Sequence, residues 1–280
     1  MNEQLVKQSF ERAYLNVAGN LKNAGIEQYT VDLKLKYGFK DLLVPLRMYE
    51  YCGMKGLSVT TALQCFQKFE LQEWKERSTK ESMAERKKET AGLGTEAHSL
   101  IEQEAKGETV QPKEELKEWF DEWKKTEKQF DITSEYSEVR VFSKSFLYGG
   151  TIDRIGMFNG KRSIIDFKSG SYSHSHLWTT EAYRQAYGEM TGDWDTQTIV
   201  LMLPRPDLIA KGAKPRHYTV SRHTQCFTAF LSCYFALRMM YGKELCEAGM
   251  DKERVYENLP FMLYEREYGK GFQKEMEGNE

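Results

Sequence analysis

The apolar residues of this chain change their spacing near residue 133. Before that position they recur every three or four residues, which predicts two helices, one that begins after an N-cap at Thr95 and ends near 107, and one over 112–130. After it, apolar and polar residues tend to alternate. This period of two predicts three strands, near 136–142, 150–158 and 161–168.

The last part of the chain returns to a mixture of helix and strand. A helix is predicted around 178–191, then an apolar strand at 198–204, and then a long, mostly buried helix that begins near 223. This order of elements predicts an α/β fold in which helices flank a central mixed sheet. We further predict an N-terminal helical extension over 1–50, a main domain over 51–250 and a charged C-terminal tail over 251–280.

The composition is that of an ordinary globular protein. Apolar residues make up 40% and charged residues 29% of the 280 residues. No apolar run approaches the roughly 20 residues that span a bilayer. The five cysteines form no CxxC pair, which favours free thiols in a reducing compartment, and we therefore expect a cytoplasmic protein.

The formal net charge of −2 gives no general sign of nucleic-acid binding, but one segment differs from the rest. Residues 205–222 contain five Lys or Arg against one Asp. This is the best local candidate for a surface that contacts phosphates. The residues expected to bind DNA are Lys211, Lys214, Arg216 and Arg222.

Asn159 and Gly160 indicate a tight turn between two strands. Asn-Gly favours a type I′ turn because both central residues take a positive φ. Folding the strands about this dipeptide places Asp153 directly opposite Asp166, with Cβ atoms about 5 Å apart on one face. Facing carboxylates destabilise a sheet unless a positive charge lies between them, and a divalent cation with oxygen ligands would supply it.

Lys168 completes this group. Side chains alternate along a strand, so Lys168 projects from the same face as Asp166, about 6–7 Å further along. Two carboxylates, a metal and an ammonium group suit hydrolysis of a phosphodiester. The metal polarises the phosphoryl oxygen, while the lysine orients the attacking water or stabilises developing negative charge. The alternative is an exposed hairpin edge with an ordinary Asp–Lys ion pair.

These residues resemble the core of the PD-(D/E)XK nucleases. The segments GGTID (149–153) and IIDFKSG (164–170) are similar to those of the RecB-type exonuclease branch, which includes phage recombination nucleases and mitochondrial genome maintenance exonucleases. Upstream, GTEAH (94–98) matches the stretch in which that branch has its metal-site histidine. LSVTTAL (57–63) resembles a Ser-Val-Thr-Thr segment of its mitochondrial and phage members, so the resemblance covers about residues 57–191.

The resemblance implies a restriction-endonuclease-like core and a role for each matching residue. His98, Asp153 and Asp166 would be metal ligands together with the backbone carbonyl of Phe167, and Lys168 would be catalytic. The expected metal is Mg²⁺ or Mn²⁺, since the donors are mostly oxygens with one imidazole. His98 also lies in the first turn of a predicted helix, where the helix dipole favours the neutral imidazole that binds metals.

Three further positions match the family less closely. The family often has a glutamate on the strand before the hairpin, a place that Glu138 or Glu135 could take, and the spacing favours Glu138. It also has a helix with Gln and, four residues later, Tyr, whereas here Gln185 and Tyr187 are only two residues apart. We name Glu138, Gln185 and Tyr187 as supporting residues, and we expect Gln185 to contact the scissile region.

The activity implied by the resemblance is metal-dependent exonuclease action on linear DNA, with a preference for single-stranded ends. The expected nuclease domain spans 51–250, and the expected setting is phage or bacterial DNA recombination, repair or replication, in the cytoplasm of a bacterial or phage-infected cell. Most aromatic residues of 57–130 are predicted to be core, and one or two of them would stack on bases. The candidates are Phe66, Phe69, Trp74, Trp119 and Trp123.

Three alternatives stay open at this point. The chain could be a nuclease-like module that binds DNA or a protein without cutting. It could be an endonuclease of the same fold, or a metal hydrolase of a small phosphoester. Cleavage of linear DNA compared with closed circles and nucleotides distinguishes these alternatives.

Overall fold

The structure, a computed structural model, describes residues 24–37, 40–63, 96–169, 171–209 and 211–256. Several predictions made from the sequence lie outside these residues. They concern the N-cap at Thr95, the aromatic residues Phe66, Phe69 and Trp74, and the tail after 256.

One mixed sheet of eight strands forms the centre of the described part of the chain. Its strands follow the order β1-β2-β3-β5-β6-β7-β8, with β4 paired to β5. Two neighbouring pairs, β3–β5 and β6–β7, are parallel, and the others are antiparallel. The strands are β1 (Glu27–Tyr37), β2 (Lys40–Tyr51), β3 (Met54–Ser58), β4 (Tyr136–Ser143), β5 (Tyr148–Phe158), β6 (Lys161–Ser169), β7 (Gln197–Leu203) and β8 (Arg216–Thr219).

Helices cover both faces of this sheet, which confirms the predicted α/β class. None of the helices in the described ranges combines the length and apolar character that a membrane span requires. The helices are α1 (Val59–Ala62), α2 (96–105), α3 (Glu114–Gln129), α4 (His174–Thr191), α5 (Pro206–Ile209), α6 (His223–Glu247) and α7 (Lys252–Tyr256).

Successive side chains of β6 point to opposite faces of the sheet and pack into two separate hydrophobic clusters. Ile164 packs with residues of α4 and α6, such as Ala182 and Tyr234. Ile165 and Phe167 point the other way and pack with residues of α2, α3 and α5. Even-numbered residues of β6 from 164 onward therefore face α4 and α6, and Asp166 and Lys168 belong to that face.

The β5–β6 hairpin has the predicted turn and register. Asn159 and Gly160 adopt φ angles of 50° and 74°, as a type I′ turn requires. The strands pair from Phe158–Lys161 to Arg154–Ile165. The ladder ends one pair before Asp153 and Asp166, so these two residues lie where the strands begin to separate.

The prediction of a helical extension is wrong for residues 27–37 and 40–50, which belong to β1 and β2. Tyr29, Val31 and Leu33 alternate with polar residues, which is the period of a strand. β2 pairs with β3, so the sheet crosses the boundary that was expected at residue 50. Residues 1–23 lie outside the described part of the chain.

A fork in the sheet separates β3 from β6 along one edge of β5. β4 pairs with residues 148–155 of β5 and so occupies one edge of that strand. On the other edge, β3 pairs only with Tyr148 and Gly149, and β6 pairs only from Arg154 onward. Residues 150–153 therefore border an opening between β3 and β6.

Candidate active site

A cleft of about 320 Å³ lies at this fork. Four parts of the chain contribute to it: β1 and β2, the turn from β3 into α1, the β4–β5–β6 region, and α4. Its polar and aromatic lining comprises Gln28, Arg47, Tyr49, Ser58, Thr60, Glu138, Thr151, Asp153, Asp166, Lys168 and Tyr183.

The backbone hydrogen bonds between β5 and β6 end at Arg154, and beyond that point the Asp153 side chain links the two strands. Its Oδ2 accepts a hydrogen bond of 2.8 Å from the backbone N–H of Phe167. The same oxygen lies 3.9 Å from Nδ1 of His98, which is 36% exposed and lies near the start of the described part of α2. His98 also contacts the ring of Phe167 edge-on, with centroids 6.1 Å apart. The structure thus brings His98 beside the Asp153 carboxylate.

Asp166 and Lys168 form a close ion pair on β6. The lysine Nζ lies 2.7 Å from Oδ1 and 2.6 Å from Oδ2 of Asp166, whose surface is 1% exposed. Burial raises the pKa of Asp166 to about 7, and the Asp153 charge adds to this against the opposing effect of Lys168. Burial alone would lower the pKa of Lys168, but the two carboxylates outweigh it and the net shift is upward. Lys168 therefore stays an ammonium group at neutral pH.

Glu138, one of the two glutamates expected on the strand before the hairpin, lies on β4 and lines the cleft. Its neighbours Ser137 and Val139 pair with Arg154 and Ile152, which sets Glu138 opposite Asp153. It interrupts the β4–β5 ladder with a φ of 53°. Although its side chain is open to solvent on one side, desolvation and the Asp153 charge raise the pKa of Glu138 to about 7. Glu135, the other candidate, instead pairs with Arg162 at 2.6 Å.

The side chains at this opening are of the chemical types that bind a hard divalent cation. Three carboxylates and an imidazole lie around one opening, and repulsion among the carboxylates contributes to the raised pKa of Glu138 and Asp166. Oδ2 of Asp166 is buried and accepts no well-directed hydrogen bond within the described residues. As these side chains stand, no three His, Cys, Asp or Glu in the described ranges surround a common metal position. Oxygen donors with one imidazole suit Mg²⁺ or Mn²⁺.

The Ser-Val-Thr-Thr segment reaches the same cleft. Ser58 is the N-cap of α1, and its Oγ accepts a hydrogen bond of 3.0 Å from the N–H of Thr61. Ser58 is also the residue of β3 that pairs with Gly149 of β5. The cap therefore fixes the start of α1 against the strand that holds Asp153.

Four residues that line the cleft were not predicted from the sequence. Gln28, Arg47 and Tyr49 come from strands that were expected to be helical. The Tyr49 hydroxyl donates to Oε1 of Gln28 at 2.9 Å and lies 3.0 Å from Oγ1 of Thr151. The strand period in 27–51 was the signal that could have located them. Tyr183 is buried in α4, and the carboxylates of Asp166 and Asp153 add to the effect of burial in raising its pKa.

Gln185 and Tyr187 do not line the cleft. Gln185 donates to Glu189 at 3.3 Å, and Tyr187 is buried with its hydroxyl 3.4 Å from Arg162. A helix turns about 100° per residue, so a residue two positions after Tyr183 points well away from it. Tyr187 shares the face of Tyr183 but lies one turn further along the helix, so Tyr183 is the residue of α4 that lines the cleft.

The basic residues expected to bind DNA lie near β8. Arg216 is the first residue of that edge strand, and Lys214 precedes it, while Lys211 and Arg222 are exposed on either side. Trp119 and Trp123, named as candidates for base stacking, are 3% and 1% exposed and belong to the core. Neither of these two tryptophans is available for stacking on a base.

Gly150→Ala is expected to distort the cleft. A Cβ at this position would lie 2.2 Å from Cε1 of Tyr183, a buried ring with little freedom to move. Overpacking of this kind costs about 1–3 kcal/mol of unfolding free energy, which urea denaturation measures. An unchanged free energy of unfolding would contradict the close approach of β5 to α4.

No family model matches this chain, and no curated protein matches it in sequence.

Proposed function

We propose that this protein is a divalent-metal-dependent nuclease that hydrolyses phosphodiester bonds of DNA. The observation that supports this most directly is the shared cleft of Asp153, Asp166 and Lys168, with Glu138 and His98 at its border. These side chains come from four separate elements. A buried ion pair beside two further carboxylates has no evident structural purpose, since burying charges costs more than an apolar core of the same shape.

The cleft contains carboxylates, which could bind a metal, and cationic side chains, which could contact a phosphodiester directly. Bound Mg²⁺ or Mn²⁺ would act as a Lewis acid on the phosphoryl group, held by His98, Asp153, Asp166 and the Phe167 carbonyl. Lys168 places an ammonium group at the carboxylate pair, where it can orient a water or stabilise charge that develops on the phosphate. Arg47 of β2 also lines the cleft and offers a second contact for a phosphate oxygen.

The fold that we propose is the restriction-endonuclease-like core of the PD-(D/E)XK nucleases. The mixed sheet with helices on both faces and the acidic hairpin support it, as does the segment around Ser58 at the edge of the same cleft. We further propose that the enzyme is an exonuclease that prefers single-stranded ends. The volume of the cleft, about 320 Å³, is that of a pocket for a small ligand and suits one strand better than a duplex.

Lys168→Ala is expected to lower the rate of Mg²⁺-dependent degradation of linear DNA by about 10²–10³-fold, because it removes the cation that stabilises developing charge. Loss of a labelled single-stranded oligonucleotide on a gel measures this rate. Lys161→Ala is the matched control, since Lys161 is an exposed lysine at the other end of the same strand. Equal rates for the two variants would contradict the assignment of Lys168.

The same assay distinguishes the other functions. The unsubstituted protein is expected to degrade linear single-stranded DNA with Mg²⁺ or Mn²⁺, to be inactive with EDTA, and to leave covalently closed circles intact. Nicking of circles at the rate of linear digestion would identify an endonuclease. Binding of DNA without cleavage in either metal would identify a binding module, and competition by a nucleotide alone would identify a small phosphoester as the substrate.

A further inference from the structure

A groove of about 360 Å³ lies next to the cleft, beside the edge strand β8. We call it the β8 groove, and its lining includes Tyr172, Met202, Leu208, Lys214, Arg216 and Tyr218. The groove combines an apolar wall, a pair of aromatic rings and two cations. None of these residues contributes to the cleft at the fork.

The register of the sheet fixes the position of the β8 groove relative to the catalytic lysine. Lys168 is opposite Met202, and Met202 is opposite Arg216, so the three form one row across β6, β7 and β8. Asp166 and Tyr218 end the neighbouring row, with Val200 between them. Strands are about 4.8 Å apart, so the backbone of Arg216 lies about 10 Å from that of Lys168.

Paired residues in a sheet point to the same face, so Arg216 and Tyr218 project on the face of Lys168 and Asp166. The residue between them confirms this orientation. The ring of His217 lies on the opposite face, 4.8 Å from that of Phe130 and 5.1 Å from that of Phe158. The aromatic and basic side chains of the β8 groove thus continue the surface on which the catalytic carboxylate and lysine lie.

The aromatic part of the groove is a stacked pair of tyrosines. Tyr172, in the loop between β6 and α4, stacks on Tyr218 with ring centroids 4.0 Å apart and an angle of 24°. The rings of His174 and His176 contact Tyr172 edge-on. Both tyrosines are partly exposed, in contrast to the buried tryptophans of α3. Stacking against partly exposed aromatic rings is the usual way in which proteins hold single-stranded bases.

The charges of the groove complement a phosphate backbone. Arg216 is exposed and forms no ion pair with any residue that the structure describes. Lys214 contacts Glu122 at 3.2 Å with 71% of its side chain open to solvent, so it is still available to an anion. Lys211 and Arg222 add exposed positive charge on either side. No acidic residue lines the groove itself.

We infer that the β8 groove binds the nucleotide of a single DNA strand that neighbours the phosphodiester in the cleft. The base lies against the Tyr172–Tyr218 pair and Arg216 contacts its phosphate. A separation of about 10 Å from Lys168 is short enough for one or two nucleotides of an extended strand to span it. This inference rests on the proposed nuclease function for the identity of its ligand, but its test does not require cleavage.

The test measures the affinity for a fluorescein-labelled single-stranded oligothymidylate by fluorescence anisotropy in EDTA, where no metal-dependent cleavage occurs. Tyr218→Leu is expected to raise the Kd about tenfold through loss of stacking, whereas Tyr218→Phe keeps an aromatic ring and the original Kd. Arg216→Ala is expected to raise the Kd and to reduce the slope of log Kd against log salt concentration by about 1. Tyr218→Leu should leave that slope unchanged, and the exposed Lys161→Ala is the control for charge alone.

The outcomes separate this inference from the proposed function. An unchanged Kd in both Tyr218→Leu and Arg216→Ala, or no binding by the unsubstituted protein, would overturn the β8 groove as a DNA site. Weakened binding in these variants supports it even if the protein cuts no DNA, in which case the nuclease proposal alone fails.

Discussion

Asp166→Asn is expected to abolish metal-dependent DNA hydrolysis without unfolding the protein. The substitution removes the buried carboxylate from the proposed metal ligands, and loss of several kcal/mol of transition-state stabilisation corresponds to at least about 10³-fold in rate. Burial already raises the pKa of Asp166 to about 7, so the neutral amide resembles a form that the fold accommodates. The amide leaves the Lys168 ammonium group without its closest carboxylate, although the amide oxygen can still accept a hydrogen bond from it. We therefore expect the free energy of unfolding without metal to fall by about 1–3 kcal/mol.

Two measurements check this result. The rate of oligonucleotide degradation in Mn²⁺ gives the loss of activity. The melting temperature with and without Mn²⁺ gives the loss of metal binding, since a ligand that binds only the folded state stabilises it. Asp195→Asn, on an exposed aspartate away from the cleft, is the matched control and should keep both properties. A metal-induced rise in melting temperature that survives Asp166→Asn would remove Asp166 from the ligand set.

Arg154→Ala is expected to cause the largest loss of stability, about 3–5 kcal/mol of unfolding free energy. Arg154 is fully buried directly after Asp153, and its guanidinium packs against the rings of both Trp123 and Phe167, 5.3 and 5.4 Å from their centroids. Its NH2 group donates to the carbonyl of Ile101 at 3.0 Å. Truncation would leave a cavity and remove a hydrogen bond that joins β5 to the helix of His98.

Urea denaturation measures the loss of unfolding free energy in Arg154→Ala. The metal-induced rise in melting temperature measures how far the weaker connection between β5 and α2 affects metal binding. Because Ile101 lies one turn after His98, a looser α2 should weaken metal binding in any Arg154→Ala protein that still folds. Arg216→Ala removes an exposed arginine and should change the unfolding free energy by no more than about 0.5 kcal/mol. A loss below about 1 kcal/mol for Arg154→Ala would show that the ring contacts contribute little.

The hairpin at the centre of the site could be predicted from the sequence because its determinants are local. The Asn-Gly dipeptide fixes the turn, the turn fixes the register, and the register places Asp153, Asp166 and Lys168 in relation to one another. The expected supporting glutamate, Glu138 or Glu135, came instead from the family resemblance. The fork could not be predicted from local sequence patterns, because it depends on where β3 pairs with β5.

The parts that could not be predicted depend on contacts between distant segments. Arg47 and Tyr49 reach the cleft only because β2 pairs with β3, and the strand period of that region was overlooked. Gln185 was predicted from its likeness to a family pattern. The rotation of α4 about its axis, which depends on how the helix packs on the sheet, instead directs Tyr183 towards the cleft. Tyr172 and Tyr218 are 46 residues apart and meet through the β6–β7–β8 register.

The fork also has a consequence for the order in which the molecule folds. The β5–β6 hairpin closes a short loop and forms within microseconds, so Asp153, Asp166 and Lys168 come together early. The pairing of β3 with β5 must close a loop of roughly ninety residues, which is entropically costlier and slower. During this interval the carboxylates of Asp153 and Asp166 repel each other before β1, β2 and β3 have closed their side of the cleft. Refolding in Mg²⁺ should therefore be faster than in EDTA if the cation binds the hairpin before that wall closes.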